Sequence, residues 1–173
     1  MSDKKAYHCR ADTDTVSDKK KAYHCRAGTN TVDNRLEEDF MAEDIRVLLI
    51  EPGEKPRLVT VPHTLEELQG LVGGYIAATY PWSDCVGVVF DDDGMAKGYP
   101  PNRLLVDEDG KPYDILKGTF FITGLSTDDF ASISDEMAEK YTEKFYWPEV
   151  FARFGDHLIW FKDQPGAKPM MLF

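Results

Sequence analysis

The chain has 173 residues, a formal net charge of −11, an apolar fraction of 42% and an aromatic fraction of 12%. That length suits one ordinary domain with a tail, and no apolar run approaches the ~20 residues a membrane-spanning helix needs. Three widely spaced cysteines and an amino terminus without an apolar stretch predict a cytoplasmic protein with no disulfide framework. Residues 1–44 carry ten acids and eight bases, whereas residues 45–173 carry 21 acids and 12 bases. A folded part so acidic repels nucleic acid and attracts basic protein surfaces.

Ser2–Val16, SDKKAYHCRADTDTV, is repeated at once as Ser17–Val32, SDKKKAYHCRAGTNTV. Two polar copies are too few to stack into a solenoid, and their charge predicts a disordered tail. They supply His8, Cys9, His24 and Cys25, side chains zinc favours. Adjacent His-Cys pairs point apart in an extended chain, and no C-x-x-C clamp is present, so no metal is expected. Asp33–Asp44, DNRLEEDFMAED, reads as an acidic linker or a short helix before the fold. The expected organisation is a tail and linker over 1–44, an α+β domain over 45–146 and an aromatic extension over 147–173.

Ile45–Glu51, IRVLLIE, has the apolar, β-branched character of a buried strand, and Arg57–Pro62 alternates in polarity across a PGEKP turn. The two predict a β-hairpin. Thr64 and Glu67 have capping-box spacing, Leu65, Leu68, Leu71 and Val72 form an apolar stripe, and Gly73-Gly74 ends the predicted helix. Tyr75–Pro81 and Cys85–Phe90 read as strands, with Cys85 a small buried hydrophobe.

Residues 91–110, DDDGMAKGYPPNRLLVDEDG, hold two acidic clusters that end in glycine. The first predicts two short strands joined at Asp93-Gly94, and the second a turn at Asp109-Gly110. The prolines between them suit a first helical turn, which predicts a short helix or turn over Asn102–Val106. A calcium loop is excluded, because the aspartates are consecutive and position twelve from Asp91 is Asn102 rather than glutamate.

Gly118–Leu125 reads as a buried strand, and STDDF as an acidic turn. Ser134–Phe145 is a helix with an N-cap serine and a Met137, Tyr141, Phe145 stripe. Trp147–Phe161 predicts a short helix to Phe154 and then an extended segment, followed by a loose tail. The expected architecture is therefore α+β: one small domain, an antiparallel or mixed sheet with two or three helices packed on it, and a disordered N-terminal tail.

No nucleophile–base pair or phosphate loop is visible; GLVGGY lacks the lysine of a P-loop. His63 and His157 are isolated, and the carboxylates sit in turns and helix starts, where they stay ionised. The sequence thus predicts a binder rather than an enzyme, with no cofactor. Asp91, Asp92, Asp93, Asp107, Glu108 and Asp109 are the expected acidic partner-binding surface. Asn102, Arg103, Trp147, Phe151, Phe154 and Trp160 are further candidates, the aromatic residues also suggesting a homodimer through the C-terminal segment.

From Ile45 to Phe145 the order of motifs resembles the family catalogued as domain of unknown function 3846. The pieces that carry the resemblance are Glu51-Pro52-Gly53, Leu71-Val72-Gly73-Gly74, Pro100-Pro101-Asn102-Arg103 and Gly118-Thr119-Phe120-Phe121. The resemblance implies a setting in phages, conjugative elements and gut Firmicutes, hence in a bacterial host cell, among anti-restriction and anti-CRISPR genes, and no biochemical activity. Together with the acidic charge it predicts a host-defence inhibitor, foremost an anti-CRISPR protein bound to the Cas9–guide RNA complex. The alternative is a non-enzymatic interaction module of a mobile element with an unrelated protein partner. No direct nucleic acid or membrane partner is expected.

Overall fold

A computed structural model describes residues 43–172; the duplicated stretch and its expected disorder lie outside them. The main sheet has the strand order β2 (Arg57–Pro62), β1 (Asp44–Ile50), β7 (Phe120–Leu125), β4 (Val86–Asp91), β3 (Ile76–Thr79), with β8 (Phe130–Ala131) paired to β7. Every neighbouring pair is antiparallel.

The apolar runs of β1 and β7 are explained by cover on both faces. Val47 and Leu49 join Leu68, Val72 and Phe121 under helix α1 (Leu65–Val72). Leu48 and Ile50 join Val88, Phe120, Tyr141 and Phe145 under helix α2 (Asp135–Phe145). Both helices begin where the capping logic places them. Thr64 Oγ1 accepts from Glu67 N at 3.3 Å, and Ser134 Oγ accepts from Met137 N at 3.3 Å; each cap contributes about 1 kcal/mol. Gly73 closes α1 with φ 83°, a left-handed conformation that a side chain resists.

The α+β expectation survives in outline, with two helices and more strand than helix. Several local expectations are overturned. Residues 92–98 form a run of turns rather than a second strand, held by Lys97 N to Asp93 O at 2.9 Å and Tyr99 N to Gly94 O at 3.1 Å. Pro101–Val106 is strand β5, not a helix, and pairs with β6 (Pro112–Lys117). A proline at a strand's first residue forfeits no needed ladder bond. Trp147–Phe161 contains no helix: β9 (Glu149–Phe154) and β10 (His157–Lys162) form a hairpin, with β11 (Met170–Met171) as a third strand where a loose tail was expected. Leu65 is 61% exposed instead of joining the α1 stripe. Cys85 is exposed before β4 rather than buried.

Candidate partner-binding surface

The sheet register gathers carboxylates at one end. Val86, the first residue of β4, faces Gly124 near the end of β7, and Asp44, the first of β1, faces Pro62 at the end of β2. The chain therefore turns repeatedly at this end, and its turns are acidic. Glu43 and Asp44 enter β1, Glu66 and Glu67 occupy the first turn of α1, and Asp84 precedes β4. Asp128 and Asp129 lie in the exposed turn after β7, and Asp135 and Glu136 start α2, which is anchored here by Ile133 N to Arg46 O at 2.8 Å. The β5–β6 turn arrives at the same end, because Glu108 accepts from Ser83 N and Trp82 Nε1 donates to Val106 O at 2.9 Å.

Among the described residues, several cations at this end are engaged within the domain. Arg46 pairs with Asp135 and Lys140 with Asp84, each at 2.5 Å, and Lys111 lies 3.8 Å from Asp109. Lys144 sits 4.2 Å over the Trp82 ring. Burial pushes the Asp84 carboxyl up, but hydrogen bonds from Lys140 and Tyr141 outweigh it and hold Asp84 below the usual carboxylate range. Asp128 and Asp129 border a concavity of about 570 Å³ walled by Tyr80, Leu125 and Phe130. Carboxylates beside an aromatic and aliphatic wall are the chemistry that receives an arginine side chain.

The acidic clusters expected from sequence are divided between two ends of the fold. Asp107, Glu108 and Asp109 belong to the acidic end; Asp107 Oδ1 also accepts from Lys111 N at 2.8 Å. Asp91, Asp92 and Asp93 lie at the far end of β4, about 17 Å away along an extended strand. Asp92 and Asp93 are exposed, but Asp91 is buried and bonded to Lys97 Nζ at 2.5 Å and Asp93 N at 3.0 Å. Asp91 therefore closes the 92–99 loop and offers nothing to a partner. Burial pushes its carboxyl up, and the bonds from Lys97 and the Asp93 amide more than reverse this. Around it gather the glycine motifs: Lys97 Nζ and Tyr99 OH donate to Gly73 O, at 3.2 and 3.4 Å. Gly73, Tyr99, Pro100 and Gly118 line a cleft of about 310 Å³.

Asn102 and Arg103 are both fully buried and are framework residues, not contacts for a partner. Asn102 Nδ2 donates to Ile50 O at 3.0 Å and Gly118 O at 2.7 Å, tying β5 to the main sheet. Arg103 donates to Asn102 Oδ1 and O, Glu54 O and Phe145 O. Among the aromatic candidates, Trp147 is half-buried against Tyr146, and Phe151 is half-buried. Trp160 donates from Nε1 to Glu149 at 2.7 Å, while Phe154 is 76% exposed. His63 lies 3.5 Å from Asp129, and among the described residues no group of three or more His, Cys, Asp and Glu is placed to hold a metal. His8, Cys9, His24 and Cys25, where no metal is expected from sequence, fall outside the described residues. Sequence reasoning marked STDDF only as a turn; what makes Asp128 and Asp129 part of a surface is the antiparallel register, which no local pattern encodes.

Residues 45–146 match the model of the family described as Domain of unknown function (DUF3846), and the chain belongs to that family. No curated protein and no solved structure matches the chain.

Proposed function

We propose that this DUF3846 protein is a non-enzymatic host-defence inhibitor of a phage or mobile element, and that it binds a basic protein through its acidic end, foremost the Cas9–guide RNA complex. The observation that carries the reading is the convergence of Glu43, Glu66, Asp109, Asp128 and Asp129 at one end of the sheet, where several neighbouring cations are already engaged. Cas9 holds nucleic acid in a strongly basic channel and reads its PAM with arginines. A rigid carboxylate array docked there would compete with phosphates through charge-assisted bonds. Inhibition of this kind is stoichiometric and weakens with salt.

The test is target-DNA cleavage by Cas9–guide RNA with increasing amounts of the full chain, alongside a direct binding measurement. D128K/D129K should lose inhibition, whereas D92K/D93K, at the other end, should retain it. Unchanged inhibition by D128K/D129K would remove the acidic end from the mechanism. Absence of binding across several Cas9 types would leave the second reading, an interaction module with an unrelated partner. That reading is favoured by the apolar outer face of the C-terminal sheet, where Val150, Phe154 and Met171 are exposed.

A further inference from the structure

Between the β5–β6 hairpin and the β9–β10 hairpin lies a groove of about 610 Å³, within the size range of ligand sites. Its floor is apolar. Leu104 pairs with Ile115 on one hairpin, and Phe151 and Leu158 face them from the other. Residues 112–115 line it consecutively, where a register shift between Leu105 and Val106 leaves Tyr113 as an extra residue on β6 and interrupts the alternation of side chains. The outer edges of β6 and β9 carry no further strand: among the described residues β6 pairs only with β5, and β9 only with β10. Unpaired strand edges are templates for an added extended segment.

The charge of the groove is opposite to that of the domain. Lys117 and Arg153 border it, and neither forms an ion pair among the described residues. Asp114 is the one acid among the described lining residues, and its Oδ1 accepts from the Ile115 amide at 2.7 Å. On a chain of net charge −11, two unpaired cations beside an apolar trough select against basic partners and for carboxylates.

We propose that this groove is a second binding site, independent of the acidic end, for an extended peptide segment of a partner protein that carries apolar anchors flanked by carboxylates. The apolar side chains fill the trough over Leu104 and Phe151, the peptide backbone pairs with a free edge, and the flanking carboxylates meet Lys117 and Arg153.

The test is fluorescence anisotropy of labelled nine-residue peptides with the full chain. The probe is LEEDFMAED, which has the required chemistry; its controls are the base-flanked LKKKFMAKK and the anchor-less LEEDSSAED. Saturable binding of the first is expected, with both controls weaker by about tenfold. K117E/R153E should weaken the first peptide roughly tenfold and strengthen the base-flanked one, with an unchanged thermal midpoint as the folding control. N-methylation of alternate peptide amides should abolish binding if the backbone pairs with an edge. Equal binding of acid- and base-flanked peptides, or no saturable binding, overturns the proposal. The probe copies residues 36–44 of the chain, so F40S/M41S is measured too. Binding seen only in that variant would mean that the chain's own segment fills the groove, which also overturns it. A concentration-dependent dimer that the K117E/R153E substitution dissolves would assign the groove to a second copy, and would overturn it likewise.

Discussion

Arg103 donates from Nη2 to the carbonyl of Phe145, the last residue of α2, at 3.2 Å. The same nitrogen reaches Glu54 O at 2.7 Å, so one guanidinium joins β5, the β1–β2 turn and the negative end of a helix dipole. Burial lowers its affinity for a proton and Glu149 opposes that, yet guanidinium stays charged under all ordinary conditions. R103A would strand three backbone carbonyls and should cost about 3–4 kcal/mol in urea denaturation. R103K should recover little, because an ammonium cannot span the same acceptors. Partner affinity per folded molecule should be unchanged, and a loss of binding at full stability would restore Arg103 as a contact residue.

Gly74 and Asp91 are in similarly close relation. A Cβ on Gly74 would stand 2.6 and 2.7 Å from the two Asp91 carboxylate oxygens, and would also strike Lys97 Nζ. G74A should therefore destabilise by about 1–3 kcal/mol, since a buried carboxylate cannot yield as a surface side chain does. D91N should lower the thermal midpoint by releasing Lys97 from the loop, whereas D92N/D93N should stay within about 0.5 kcal/mol of wild type. Circular dichroism melts decide this. Equal melting of all three variants would mean that the Asp91–Lys97 bond closes nothing.

What the sequence displayed and what it hid follow one physical division. Thr64, Gly73 and Ser134 act on their own backbone within a few residues, so the helix ends could be read locally. The Asp109-Gly110 turn was legible for the same reason, with Gly110 at φ 75°. Pro100-Pro101 suits a helix start and a strand start alike, and only the burial of Asn102 and Arg103 by elements 16 to 52 residues away decides for the strand. The C-terminal hairpin stands where the sequence predicts a helix, although a local signal for it exists. Gly155-Asp156 separates two apolar runs, and Phe154 pairs with His157 across it. Of the acidic end only Asp107, Glu108 and Asp109 are legible in the sequence, because its other carboxylates come from separate turns, helix starts and a strand entry that the sheet register brings together.

Reversing charge at the acidic end offers a test that does not depend on the identity of the partner. E66K/E67K and D128K/D129K change exposed residues at the same end, so each should keep the fold at a cost of about 1–2 kcal/mol, from lysines at the positive end of the α1 dipole in the first and the lost bond from the Phe130 amide in the second. Each should slow association with a basic partner much more than it speeds dissociation, because steering acts on encounter. Stopped-flow or surface-based kinetics at two salt concentrations separates the two rates. An effect confined to dissociation would point to a local contact instead of a collective field.

Glu149 gives the pH dependence a sign opposite to that of the aspartates. Its carboxylate accepts from Leu104 N at 2.6 Å and Trp160 Nε1 at 2.7 Å, joining the C-terminal sheet to β5. Burial dominates, and its carboxyl is held above the usual glutamate range despite those bonds. A raised folded-state value means that Glu149 favours the fold most below its unfolded value of about 4.3, and that this contribution is lost as pH rises through the folded value. Asp84 and Asp91 are lowered, so their contributions are present above about 3.9 and vanish as pH falls through their folded values. Glutamine keeps an oxygen for both donors without the charge. The stability of E149Q relative to wild type should therefore increase as pH rises from about 4 to 7. Urea titrations across that interval measure the slope, and D84N and D91N should each show the reverse trend, losing ground to wild type as pH rises from about 2 to 4. A flat difference for E149Q would mean that its carboxyl titrates alike in the folded and unfolded chain, so that burial at the β5–β9 contact leaves its proton affinity unchanged.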